Sequence, residues 1–162
     1  MLRTALIVLL GCSWVPCVSA GDVGSPAPGF SLPSKSGEQV SLDDLKGDVV
    51  MVNFWATWCG PCRQEMPQLE ALYERYHELG FTLLGVNVEE DPSGADKYLA
   101  ETPVSFKILF DRKNDVSKLY DVVAMPSTVL IDRNGVLRYV HHGYEPGYEN
   151  EYQTQIRTLL RE

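Results

Sequence analysis

Val49-Val50-Met51-Val52-Asn53-Phe54-Trp55 is a near-continuous run of apolar, β-favouring residues. A strand with one wet face alternates polar and apolar positions, so a run without alternation predicts a strand covered on both sides. The neighbouring sequence supplies the cover. Met66, Leu69, Leu72, Tyr73 and Tyr76 recur at three- and four-residue steps, which predicts a helix stopped at Gly80. Residues 81–88 are the next buried strand. Asp91 reads as an N-cap with Pro92 at the first helical position, opening a helix to about residue 101. A strand over 107–110, a short helix over 114–120 and a strand over 127–131 follow. Asp132-Arg133-Asn134-Gly135 is a turn, and 136–140 pairs back as a hairpin. Residues 148–160 close the chain as a helix with Tyr152, Ile156, Leu159 and Leu160 inward. Upstream, 21–35 is rich in Gly, Pro and Ser and reads as an arm or edge strand. A second short strand, 39–42, lies beyond a turn at 34–37. With no internal repeat or linker, residues 21–162 are expected to form one α/β domain, a sandwich built on a mixed sheet.

The first twenty residues read as a secretory signal. Met1-Leu2-Arg3 is a short positive segment, Ala5 to Leu10 is apolar, and Ser19-Ala20 supplies small residues before a cleavage that leaves Gly21 first. Leu9-Leu10-Gly11-Cys12 competes as a lipobox, a leader ending at Gly11 with Cys12 lipidated, and both readings stay open. Either places the domain outside the cytoplasm, in the periplasm, soluble or lipid-anchored. The formal net charge of −8 repels phosphate backbones and anionic headgroups, which argues against a nucleic-acid binder or a peripheral membrane protein. Cleavage after Ala20 removes Cys12 and Cys17 and leaves Cys59 and Cys62 in an oxidising compartment.

Trp58-Cys59-Gly60-Pro61-Cys62 lies between the buried strand and the long helix. That position puts Cys59 at the helix N-terminus and Cys62 one turn on, with both sulfurs on one face and within bonding reach. Pro61 suits the first turn, where its missing N–H costs nothing. The thiolate is the reactive form, and a free thiol ionises near ~8.5. Lowering that by ~1.5 pH units takes about 2 kcal/mol. A helix N-terminus supplies roughly 0.3–1 kcal/mol, up to ~2 when partly buried, so it carries much of the requirement. Cys59 is the expected exposed, attacking sulfur, and Cys62 the deeper, resolving one. A structural disulfide over so short a loop would constrain little of the unfolded chain. A zinc site would need two further ligands from His77, His141 and His142, and c-type haem attachment is excluded because Arg63 follows the second cysteine.

The segment Val52 to Pro67 resembles the active-site segment of the thioredoxin superfamily, and in particular the exported TlpA/ResA-like thiol–disulfide oxidoreductases. Gly24-Ser25-Pro26-Ala27-Pro28-Gly29-Phe30, followed by 40–47, is similar to that group's extra N-terminal β-hairpin. Ala124-Met125-Pro126-Ser127-Thr128 resembles its cis-proline loop. The resemblance implies a thioredoxin-like three-layer sandwich carrying that hairpin. It implies a redox-active Cys59–Cys62 disulfide with no other cofactor and no metal. It also implies that a cis Met125–Pro126 bond turns the Met125 backbone toward a bound extended peptide. Trp58, Gly60, Pro61, Met125 and Pro126 are the expected client-binding residues. Cytoplasmic thioredoxins carry a buried, proton-transferring Asp at the place of Asn53, and Asn53 cannot titrate. Glu65, three residues beyond Cys62 on the same helical face, is the candidate replacement as proton acceptor, against a solvated glutamate with no role. Pro67 inside the helix is expected to kink it.

The expected function is an exported, monomeric protein-disulfide oxidoreductase. It would reduce protein clients, for example in cytochrome c maturation, and take electrons from a membrane thiol donor of the DsbD/CcdA kind. The chain has neither a Rossmann fingerprint nor a P-loop to bind a nucleotide reductant. Two alternatives stand beside it. A Cu(I) metallochaperone would use Cys59 and Cys62, with His141 as an optional third ligand. A thiol peroxidase would need a Pro and Thr frame before its cysteine, where this chain has Ala56 and no upstream proline in the strand. His141-His142 reads as a solvated pair, Glu89-Glu90-Asp91 as decoration of a strand end, and Trp55 as core.

Overall fold

The computed structural model describes residues 21–162, so the leader readings, with Cys12 and Cys17, lie outside the described residues. The strands are β1 (Ser31–Pro33), β2 (Gln39–Ser41), β3 (Val49–Trp55), β4 (Phe81–Asn87), β5 (Lys107–Phe110), β6 (Ser127–Ile131) and β7 (Leu137–His142). The helices are α1 (Gly60–Tyr76), α2 (Ser93–Glu101), α3 (Asp115–Leu119) and α4 (Tyr148–Leu159). Among the described residues no helix is long and apolar enough to cross a membrane. Strands β3 to β7 form one mixed sheet in the order β5-β4-β3-β6-β7. The two parallel pairs are β3–β4 and β4–β5, while β6 and β7 run antiparallel.

The unalternated run occupies the centre of that sheet, and all seven of its residues are buried. Successive side chains point to opposite faces. Phe54 meets Tyr120 beyond α3, with ring centroids 5.6 Å apart, whereas Trp55 meets Tyr98 of α2 at 5.7 Å and Asn53 reaches Glu65 of α1. Helices α1 and α2 therefore cover one face and the α3 segment the other, which is the expected three-layer sandwich. Gly85 of β4 is required by a close approach. A Cβ there would lie 2.9 Å from both Ile108 Cδ1 and Phe106 Cε2 and 3.4 Å from Trp55 Nε1.

The glycine- and proline-rich arm is the edge element expected, and it serves both ends of the sheet. Gly24 donates to Leu137 O and Ala27 to Gly135 O, each at 2.8 Å, beside the start of β7. The chain then crosses to the opposite edge, where the β1–β2 hairpin bonds β5 through Lys35 N–H to Ile108 O at 2.8 Å. Tyr120 pins the crossing by donating its hydroxyl to Pro28 O at 2.7 Å, with Phe30 edge-on to its ring. Exposed edge strands invite pairing with other chains, and this extension occupies part of each edge.

Two local expectations are adjusted. Asp91 does not cap α2: Pro92 holds that position, and Asp91 folds into a turn that accepts from Ser93 N–H at 3.0 Å and its hydroxyl at 2.8 Å. The proline ring restricts its own φ, so Pro92 fits the boundary and Asp91 bonds one residue later. Helix α1 continues through Pro67, and the Arg63 carbonyl that the missing N–H leaves free accepts from Tyr98 Oη at 3.5 Å. Strand β7 extends to His142, two residues further than expected.

Candidate active site

The turn from β3 into α1 sets the dithiol. Cys59 is the N-cap, in an extended conformation, and its sulfur accepts from Cys62 N–H at 3.1 Å. The first N–H groups of a helix have no partner within it, so the sulfur sits where those donors and the positive end of the helix converge. Cys59 and Cys62 form a disulfide with Cα atoms 5.3 Å apart. The expectation of an exposed Cys59 is corrected: it is 4% accessible and Cys62 1%. As N-cap, Cys59 turns its sulfur back over the helix start, where the bond to Cys62 holds it. The exposed surface at the motif belongs to Trp58, 70% accessible, and to Gly60 and Pro61, while Trp55 is buried as expected.

Register brings in the proline loop. Phe54 pairs with Ser127 and Asn53 with Thr128, so Pro126 lies level with the end of β3 that leads into the motif. The Met125–Pro126 bond is cis. Ser127 Oγ donates to Ala124 O at 2.8 Å, and Gly143 N–H donates to Pro126 O at 2.7 Å. Met125 takes no part in the hydrogen bonds found among the described residues.

Glu65 is not solvated. It is fully buried, and three side chains from three other elements surround its carboxylate. Asn53 Nδ2 of β3 donates to Oε2 at 2.8 Å, Tyr152 Oη of α4 donates to Oε1 at 2.8 Å, and Thr128 Oγ1 of β6 stands 3.4 Å from Oε1. Burial pushes the carboxyl up to about 7, against the opposing pull of those hydrogen bonds. A carboxyl that changes charge near neutrality, one turn along the helix from Cys62, has the properties a proton acceptor needs. Asn53, which cannot titrate, orients it.

Glu89 has a part that sequence reasoning missed. Its carboxylate accepts from Thr57 N–H at 2.8 Å, Thr57 Oγ1 at 2.7 Å and Asn87 Nδ2 at 2.9 Å, which fastens the loop just before Cys59. The signal was its place beyond the carboxyl end of a parallel strand, where sites on such sheets form. Glu89→Ala leaves the Thr57 N–H without its acceptor, and urea unfolding of the oxidised protein is expected to register a loss of about 1–3 kcal/mol. Unchanged unfolding would place the clamp among idle surface contacts. His141 and His142 are not a free pair either. His141 Nε2 donates to Gln155 Oε1 at 2.8 Å, the Gln155 amide being spent on Glu151, and His142 Nδ1 lies 3.1 Å from Ser127 Oγ. His141 could join a copper ion held by the two cysteines only by leaving that packing.

The Redoxin family pattern matches residues 22–156. Thiol-disulfide oxidoreductase ResA of Geobacillus kaustophilus is 40% identical over 125 residues, covering 77% of this chain and 72% of that protein. Thioredoxin-like protein YneN of Bacillus subtilis is 40% identical over 139 residues, 82% and 79% of the two chains. A Chlorobium tepidum crystal structure described as a putative thiol:disulfide interchange protein DsbE superposes with a TM-score of 0.84 at 40% identity, covering 87% of this chain and 99% of that one.

Proposed function

Because the chain belongs to the Redoxin family, as a thiol–disulfide oxidoreductase of ResA type, we propose that it is an exported reductase of protein disulfides. The observation that carries this reading is the Cys59–Cys62 disulfide at the head of α1 with a buried carboxyl one turn on. In the reduced protein the Cys59 thiolate attacks a client disulfide. A mixed disulfide forms and one client sulfur leaves as thiolate. Cys62 gives its proton to the Glu65 carboxylate and attacks Cys59 Sγ. The second client sulfur leaves, and the Cys59–Cys62 bond closes with two electrons transferred to the client. Reduction by an external dithiol reverses the internal step, with Glu65 returning the proton.

Trp58, Gly60 and Pro61 form the exposed side of the client surface, and the unpaired Met125 backbone offers a place for an extended client segment to bond like an added strand. Residues 1–20 act as the leader, ending at Ala20 or, as a lipobox, at Gly11. The domain works as a periplasmic monomer, soluble or lipid-anchored. Electrons come from a separate membrane thiol donor of the DsbD/CcdA kind. Clients of the apocytochrome c or copper-site type, each a closely spaced cysteine pair, suit a reducing partner. The Gly60-Pro61 dipeptide favours that direction.

The test is the equilibrium potential of the Cys59–Cys62 couple in glutathione buffers. A value more negative than about −200 mV supports a reductase, and one near −120 mV overturns the direction.

A further inference from the structure

We infer that Tyr152, carried to the site by the last helix, is a positioning residue for Glu65, its hydroxyl donating to the ionised carboxylate and turning to accept from the protonated one. The inference rests on the reading of Glu65 as proton acceptor and concerns what lets a buried carboxyl fill that role in both charge states.

Every hydrogen around the carboxylate can be assigned. Asn53 Nδ2 has two, and it spends them on Glu65 Oε2 at 2.8 Å and Thr128 Oγ1 at 2.9 Å. Thr128, already accepting from Asn53, directs its own hydrogen toward Glu65 Oε1. Tyr152 adds a third donor, at 2.8 Å. The cage as it stands suits an ionised carboxylate, which only accepts. Once Glu65 takes the Cys62 proton, one carboxyl oxygen becomes a donor and needs an acceptor. An amide nitrogen cannot accept, and the Thr128 oxygen is farther away, at 3.4 Å. The Tyr152 oxygen is close, and its hydrogen is free to rotate toward Thr128. A buried donor left unmet is costly, so the turning hydroxyl is what keeps both states tolerable.

The ring itself is held independently of the hydroxyl. It is fully buried, edge-on to His141 of β7 at 5.0 Å and to Tyr148 at 6.4 Å. Tyr152→Phe therefore removes one oxygen and keeps the packing. The other titratable groups facing the pair are His141 on β7, and Tyr144 and Tyr148, with Glu149 bonded to Tyr144, while Cys62 stands one turn before Glu65 on α1.

The experiment follows the internal step alone. Reduced protein is mixed with excess dithiobis-nitrobenzoate. Cys59 attack releases the first coloured thiolate, and Cys62 attack on the resulting mixed disulfide releases the second. The rate of the second phase is recorded against pH for the parent, Tyr152→Phe, Glu65→Gln and His141→Gln. Tyr152→Phe takes one hydrogen bond from each charge state, but the bond to the ionised carboxylate is about twice as strong as the one to the neutral acid, so the acid limb is expected to move up by about one pH unit. At the acid end the rate is then about tenfold lower, and it meets the parent's at alkaline pH. His141→Gln is expected to leave the limb in place, and Glu65→Gln to lose it. A Tyr152→Phe profile that superposes on the parent's, or is lowered equally at every pH, overturns the inference, as does loss of the limb in His141→Gln. Should Glu65→Gln keep the parent's limb, the proton-acceptor reading itself fails and takes this inference with it.

Discussion

Cys59→Ser is expected to bring dithiothreitol-driven reduction of insulin down to the uncatalysed rate, and Cys62→Ser to stop turnover by a different route. Without Cys59 there is no sulfur at the N-cap position, where the Cys62 N–H and the helix terminus favour an anion. The serine hydroxyl would offer an oxygen in the same place, which sustains the cap but forms no bond to a client sulfur. Without Cys62 the first attack proceeds and the second cannot, so Cys62→Ser accumulates clients covalently joined to Cys59. Diagonal electrophoresis, non-reducing then reducing, reads those adducts directly. Their absence from Cys59→Ser and abundance in Cys62→Ser assigns the attacking and resolving roles; the opposite pattern inverts them, and full turnover in both variants ends the oxidoreductase mechanism. The adducts recovered from cells expressing Cys62→Ser would identify the clients.

Glu65→Gln is expected to change activity and stability in opposite directions. If Glu65 takes the Cys62 proton as proposed, removing it costs roughly 10²–10⁴ in that step, so resolution of the mixed disulfide slows by that order near neutrality. Stability responds to the burial that makes the group useful. The Glu65 carboxyl is raised from 4.5 to about 7 in the folded protein, so the folded state holds the proton more tightly than the unfolded chain does. A raised carboxyl contributes stability that is fully present below about 4.5 and is lost as pH rises through about 7. The gap corresponds to about 3 kcal/mol. A neutral glutamine removes that pH dependence, although the Asn53 amide must turn over to present its oxygen to the new amide. The variant should therefore match the parent at pH ~4 and exceed it by about 1–3 kcal/mol at pH ~9 in urea unfolding. A variant less stable than its parent under the alkaline condition would show that the hydrogen bonds around the carboxylate outweigh its desolvation.

Glu65 also marks how far local pattern reaches. Its helical face, shared with Cys62, follows from a spacing of three. Its burial does not, because the donors that enclose it come from residues 12, 63 and 87 positions away. Tyr152 was legible as an inward residue of the last helix, but its hydroxyl partner was not. Glu89 looked like strand-end decoration until the pairing of β3 with β4 brought it to Thr57. His141 looked solvated until α4 presented Gln155. The proline loop was legible through resemblance of its sequence, and the β3–β6 register then put it beside the motif.

Features carried within a turn of helix or a length of strand could be read from the order of residues alone. They include a central run with no wet face and a dithiol capping the long helix. Both show in residue type and in spacing over a few positions, so the order of residues suffices to read them. Folding had to supply the rest: the enclosure of Cys59 in its disulfide, the strand order β5-β4-β3-β6-β7, and a Glu65 that changes charge near neutral pH. Desolvation is a property of the space around a group, and distant parts of the chain fill that space only when the protein folds.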